Sequence, residues 1–214
     1  MAKKNPFKYF HQDKGEEKNK RSLAKRVLLL LFVLFLLLFP HHAPWESNYE
    51  QSDTLLHKIF MLYFFIVNQT LGIVHEGGHG VCYILHCTEF VTVANGTIFQ
   101  LLFPGLIAYY YYKKGCVFAA MIAFFFLGFS LQYTAWYLST AHEGPILPVH
   151  KSFLGVDATH DFNYILSETG LLAYESLIAG LTRFVAYLIM IVSIFGMFFD
   201  TFSNGDKGIG EKNF

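Results

Sequence analysis

Two histidines and a glutamate stand together in the run His75-Glu76-Gly77-Gly78-His79. On a helix, residues four apart lie on one face, so both imidazoles can reach one metal ion. Neutral imidazole suits Zn2+, and a glutamate beside the first ligand is placed to take a proton from a water at the metal. The spacing therefore points to zinc-assisted hydrolysis, with His75 and His79 as ligands and Glu76 as general base. A rival reading makes the cluster polar glue between helices. Gly77, Gly78 and Gly80 fit that reading too, because small residues let helices approach closely. Each glycine costs a helix about 1 kcal/mol against alanine, so three within four positions imply close approach of a substrate or a neighbouring helix.

A catalytic zinc site takes three protein ligands and keeps the fourth position open. The segment Asp157-Ala158-Thr159-His160-Asp161 is the densest group of donors after the motif. His160 is the first candidate for the third ligand, Asp161 the second and Asp157 the third. Whichever of His160 and Asp161 does not ligate is placed to orient the one that does. The competing role for Asp161 is to cap a short helix over 162–168. Cys82 and His86 share the helical face of His75 and His79, which leaves a haem or extended metal stripe open; such a stripe is more often core. His142-Glu143 and His150 read as surface groups, and His41-His42 as a pair at the membrane interface. Asn68 and Asn95 match the glycosylation pattern, but the first lies inside an apolar run and both are discounted.

The elements that must carry these residues are apolar. The chain has 214 residues, 54% of them hydrophobic and 18% aromatic, with 24 Phe and 13 Tyr. Only 15% are charged, where a soluble domain carries about 25%. Lipid is the solvent this composition fits. Residues 1–26 hold nine Lys/Arg against Asp13, Glu16 and Glu17. With little apolar surface of their own, they read as a disordered cytoplasmic tail flanking a first membrane helix, not as a nucleic-acid-binding arm. Cys82, Cys87 and Cys116 form no C-x-x-C pair and read as buried thiols.

Five apolar stretches follow, at 27–39, 55–74, 98–112, 116–138 and 171–199. The first is short for a span and ends at Pro40; starting near Ser22, with Lys25 and Arg26 snorkelling, gives it the needed length. A signal peptide is its rival, but no A-x-A-like site follows. The second runs without a breaker into His75. Residues 89–96 alternate, are rich in β-branched types and end in Asn95-Gly96, so they read as an extended edge. The expected fold is an all-α polytopic membrane protein of about five transmembrane helices with a short extended segment near 89–96. One membrane domain, 27–199, lies between the basic tail and a polar tail at 200–214.

Ligands of one metal must sit at one depth. With the basic tail in the cytoplasm, the second span returns there and brings His75 towards that side. His160 and Asp161 join it only if 98–112 and 116–138 both cross, which makes five spans and leaves the C-terminus outside. Making 98–112 re-entrant at Pro104-Gly105 would spare Lys113-Lys114 an outside position but separate the ligands.

Three blocks of residues resemble the site-2-protease-like family of intramembrane zinc metallopeptidases, and more narrowly a small bacterial branch of it. They are His75-Glu76-Gly77-Gly78-His79-Gly80, Asn95-Gly96-Thr97-Ile98-Phe99-Gln100-Leu101-Leu102-Phe103-Pro104, and His160-Asp161-Phe162-Asn163-Tyr164-Ile165-Leu166 followed by Gly170-Leu171-Leu172. The resemblance implies peptide-bond hydrolysis at membrane depth, zinc on the two histidines, the glutamate as base and a membrane-protein substrate in a bacterial inner membrane. Characterised members take their third ligand from an Asn-Pro-x-Asp-Gly-like motif on a later helix. That motif is absent here, and the His160-Asp161 block takes its place. Two other functions remain compatible with the sequence: a non-catalytic membrane protein of metallopeptidase descent with a structural metal, and a haem- or metal-handling protein.

Overall fold

In a bilayer every backbone N–H and C=O must be satisfied within the protein, and long apolar runs meet that demand as helices. The computed structural model describes residues 6–43, 54–147 and 158–203, with side chains from Asn19 onward. It contains six α-helices: α1 (Pro6–His42), α2 (Leu55–Leu85), α3 (Glu89–Lys113), α4 (Val117–Ser139), α5 (Asp161–Glu168) and α6 (Glu175–Ser203). Five segments are long and apolar enough to cross a membrane: Asn19–His42, Leu55–Leu85, Glu89–Lys113, Val117–Glu143 and Leu172–Ser203. The chain is an all-α polytopic membrane protein; among the described residues β-structure is confined to an antiparallel pair, β1 (Ile146–Leu147) and β2 (Ala158–Thr159).

Several boundaries differ from the sequence expectation. Residues 6–26 of the basic segment are helical and continuous with the first apolar run. Glu16 and Glu17 stand four residues before Lys20 and Arg21, a spacing that favours extension of a helix nucleated in the apolar run. Pro40 falls in the last turn of α1, which ends at His42. Residues 89–96 are not an extended edge but the first turns of α3. The Thr92 hydroxyl bonds back to the Thr88 carbonyl at 3.0 Å. Asn95 makes no turn: its Nδ2 donates to the Gly78 carbonyl on α2 at 2.6 Å. Tertiary contact overrides the local β-preference there. Pro104 is accommodated inside α3, which runs unbroken to Lys113. Of the expected C-terminal tail, 200–203 form the end of α6; the rest lies outside the described residues, as do His150 and Asp157.

The core is built from small residues and aromatics. A Cβ on Gly128 of α4 would lie 2.7 Å from Met190 Cγ and 2.9 Å from the Ala186 carbonyl oxygen of α6. Ala120, Ala123, Ala135, Ala179 and Ala186 are buried as well. Small residues of this kind let membrane helices pack backbone to backbone. Below the site, Phe39, Phe60, Phe64 and Phe129 form an aromatic cluster joining α1, α2 and α4. Large apolar side chains such as Leu30, Phe65, Ile73, Leu106 and Phe195 remain exposed, as lipid-facing groups should.

The helices α2, α3, α4 and α6 alternate in direction, each packed against its predecessor in the series. At the far end of α6, Asp200 bonds Lys25 near the membrane start of α1, 2.6 Å apart. Five strictly alternating crossings would put these two groups on opposite faces. The first apolar run therefore enters the bundle beside the end of α6, and the last residue of α1, His42, stacks on Phe60 of the second turn of α2 with ring centroids 4.8 Å apart.

The turn from α2 to α3 also departs from expectation. His86 takes the left-handed conformation, φ 55°. Cys87 N–H then returns to the Cys82 carbonyl at 3.0 Å and His86 N–H to that of Tyr83 at 3.4 Å, the paired bonds of a Schellman cap. This reversal brings Cys82 and Cys87 together, Cα atoms 5.1 Å apart, as a disulfide. They are not the free buried thiols expected, because the sequence spacing does not reveal the reversed cap. Cys116 is free and exposed.

Candidate metal centre

His75 and His79 lie one turn apart on α2, ring centroids 4.7 Å from each other. Asp161, the first residue of α5, points its carboxylate at both. Its Oδ2 is 2.7 Å from His75 Nε2 and 3.3 Å from His79 Nε2. One donor atom from each of the three residues lies within 4.8 Å of the others. His75 and Asp161 are buried, with 8% and 7% exposure. The requirement that the ligands share one depth is met because α3 and α4 cross between them.

The far side of each ring is fixed. His75 Nδ1 faces Gln100 Oε1 at 3.2 Å. The Gln100 amide is oriented by its Nε2, which donates to the Ser130 hydroxyl and carbonyl at 3.2 and 3.4 Å. His79 Nδ1 faces the Thr92 carbonyl oxygen at 2.8 Å. Both Nδ1 atoms must therefore carry hydrogen, which leaves a lone pair on each Nε2 of a neutral ring. Two lone pairs and a carboxylate oxygen then converge on one buried point. A divalent cation at that point would satisfy both lone pairs and the carboxylate charge together. Two imidazoles and one carboxylate could together hold a divalent cation, and Gln100 and Thr92 orient the rings as outer partners of a metal commonly do. Burial would raise the Asp161 carboxyl, but the hydrogen bonds and charge of His75 and His79 outweigh it and hold the group below the usual carboxylate range.

Glu76 is half-buried and borders two spaces. One is a cavity of about 60 Å³ shared with His75, Gln100, Tyr137 and Asp161, with polar groups and room to admit water. The other is a cleft of about 650 Å³ reaching past His79 to Cys82, Cys87 and Glu89. Ala158 and Thr159 of β2 border both.

His160, the first candidate for the third ligand, is not part of the cluster. Its Nδ1 accepts from Asn163 N–H at 3.4 Å, capping α5, and its Nε2 bonds Thr140 Oγ1 at 3.0 Å. The ring stacks on Tyr137, centroids 4.5 Å apart. Burial pushes this imidazole down, so it stays neutral. The helix-capping role weighed for Asp161 thus belongs to His160, and Asp161 is the residue that meets the histidines. The Tyr137 hydroxyl accepts Asp161 N–H at 3.0 Å, so His160 supports Asp161 through the ring it stacks on.

The stripe of His75, His79, Cys82 and His86 does not form one ligand set, since Cys82 is spent in the disulfide and His86 is the exposed cap. His142 pairs with buried Glu175 at 2.6 Å. Asn68 accepts from the Tyr133 hydroxyl. Of the three motif glycines, only Gly78 meets a neighbour: a Cβ there would lie 2.9 Å from the Asn95 carbonyl carbon and 3.0 Å from Gly96 Cα. Gln100 and Tyr137 had no assigned role in the sequence reading. A glutamine inside an apolar run was the available signal for the first; nothing in the sequence marks Tyr137. The chain matches no protein-family model, no curated protein and no solved structure.

Proposed function

We propose that this protein is an intramembrane zinc metallopeptidase that hydrolyses peptide bonds of membrane-protein substrates. The observation that carries the reading is the convergence of His75 Nε2, His79 Nε2 and Asp161 Oδ2 beside Glu76, with a water-sized cavity against them. Three donors leave one position for water or a carbonyl, which distinguishes a hydrolytic centre from a closed structural one. Zinc bound there would polarise the scissile carbonyl and lower the pKa of water to about 7. Glu76 takes the proton of the attacking water and passes it to the leaving amine. The resemblance of the motif blocks to site-2-protease-like enzymes supports the same reading, with Asp161 in the third-ligand role.

β2 offers an edge for substrate: an unwound segment along Ala158–Thr159 would lie between the cavity and the cleft, held by main-chain hydrogen bonds. We place the protein in a bacterial inner membrane with residues 1–26 cytoplasmic; the nine Lys/Arg of that segment support this orientation.

The test is cleavage of co-expressed membrane-protein substrates by wild type and Glu76→Gln, with zinc content measured on both. Zinc retained and cleavage lost in the variant is the expected result. Full cleavage by Glu76→Gln overturns the proposal.

A further inference from the structure

The two ends of the helix bundle differ in charge and in thiol chemistry. One end holds Lys20, Arg21, Lys25 and Arg26 at the start of α1, Asp200 at the end of α6, and Lys113-Lys114 between α3 and α4. Lys25 also lies over Phe118 at the start of α4, 5.5 Å from the ring centroid, which fixes these segments at one level. The other end carries the α2–α3 turn, the segment from Ser139 onward, α5 and the start of α6. Its described residues, 85–89, 139–147 and 158–175, include no Lys or Arg, but do include Glu89, Glu143, Asp161, Glu168 and Glu175. The Cys82–Cys87 disulfide is at this acidic end, and the exposed free thiol of Cys116 at the basic one.

We infer that the metal cleft opens on the extracytoplasmic face, so that its substrates are peptide segments at the outer end of a membrane span. Three independent features agree. Basic residues collect on the cytoplasmic side of membrane proteins, and both basic clusters lie at the end away from the cleft. Disulfides persist in oxidising compartments, and the one disulfide among the described residues lines the cleft mouth. The Lys25–Asp200 pair puts the start of α1 and the end of α6 on one face. The alternation of α2, α3, α4 and α6 then places the cleft opposite the basic tail. This reverses the cytoplasmic siting expected when α1 is counted as a complete alternating crossing, and it frees Lys113-Lys114 from an outside position. The siting of the cleft rests on the cytoplasmic tail given under the proposed function; its consequence for substrates rests also on the hydrolytic reading. Forming the disulfide removes two protons and two electrons from Cys82 and Cys87, accepted by a disulfide-exchange protein of the outer compartment.

The full chain in bacterial spheroplasts tests this with a membrane-impermeant maleimide. Cys116 is expected to react only after permeabilisation. Cys82 and Cys87 should react in intact spheroplasts once an impermeant phosphine has reduced them. A cysteine placed at the exposed C-terminal end of α5 by Ser167→Cys should react in intact spheroplasts without reductant. Labelling of Cys116 in intact spheroplasts, with Ser167→Cys protected, overturns the inference. None of these readouts needs zinc or cleavage, so failure of the siting and failure of the hydrolytic reading are told apart.

Discussion

Gly96 lies against the two motif histidines: a Cβ placed on it would fall 2.5 Å from His79 Nε2 and 2.7 Å from His75 Nε2. Those are the nitrogens aimed at Asp161, so α3 approaches the site as closely as a helix can. Gly96→Ala should drive the imidazoles off their shared point. Zinc per protein, measured by elemental analysis after purification, is expected to fall at least tenfold, with helix content by circular dichroism unchanged.

Asp161 and His160 are adjacent but should behave oppositely. Asp161→Ala removes the third donor and should abolish bound zinc. His160→Asn keeps a helix-capping side chain, loses the stack on Tyr137, and should retain zinc while lowering stability by about 1–2 kcal/mol. Zinc analysis and thermal unfolding of the two purified variants separate these roles. Loss of zinc in His160→Asn with Asp161→Ala still loaded would reverse the assignment.

Gln100 holds His75 from behind and is itself held by Ser130. Gln100→Leu leaves the three donors in place but frees the His75 ring to rotate. Zinc affinity, measured by chelator competition, should weaken about 10–100-fold. A variant as tight as wild type would show that Gln100 is only a packing residue.

Cys82→Ser removes a staple five residues long. Loop-closure entropy for so short a loop is worth about 2 kcal/mol. The variant should unfold at lower temperature than oxidised wild type, match wild type in reductant, and keep its zinc. An unchanged unfolding temperature would mean that the backbone cap at His86 suffices alone.

The helices were legible because lipid leaves the backbone no alternative, and the start of α2 and both ends of α4 follow the apolar runs closely. His75, Glu76, His79 and the neighbourhood of Asp161 were legible because ionisable groups in such surroundings need a purpose. What the sequence hid was decided in three dimensions. Val91, Thr92 and Val93 look like strand, yet Asn95 and Gly96 are spent on contact with α2 and the segment coils. His160 and Asp161 are equivalent as donors on paper; only the direction in which the first turn of α5 begins separates cap from ligand. Cys82 and Cys87 meet because one residue, His86, takes a left-handed conformation that its type does not announce. The pairing of Lys25 on α1 with Asp200 on α6 was not legible, because length and hydropathy say nothing of how one helix sits against another.

Asp161 stands 86 residues after His75, and synthesis runs from the N-terminus. The nascent chain therefore presents its histidine pair, then Gln100, then the hydroxyls of α4, well before the carboxylate exists. A polypeptide stalled ahead of α5 would own the base and two of the three donors, yet have no means of gripping an ion firmly. Completion of the three-donor cluster is thus tied to translation of the last quarter of the protein.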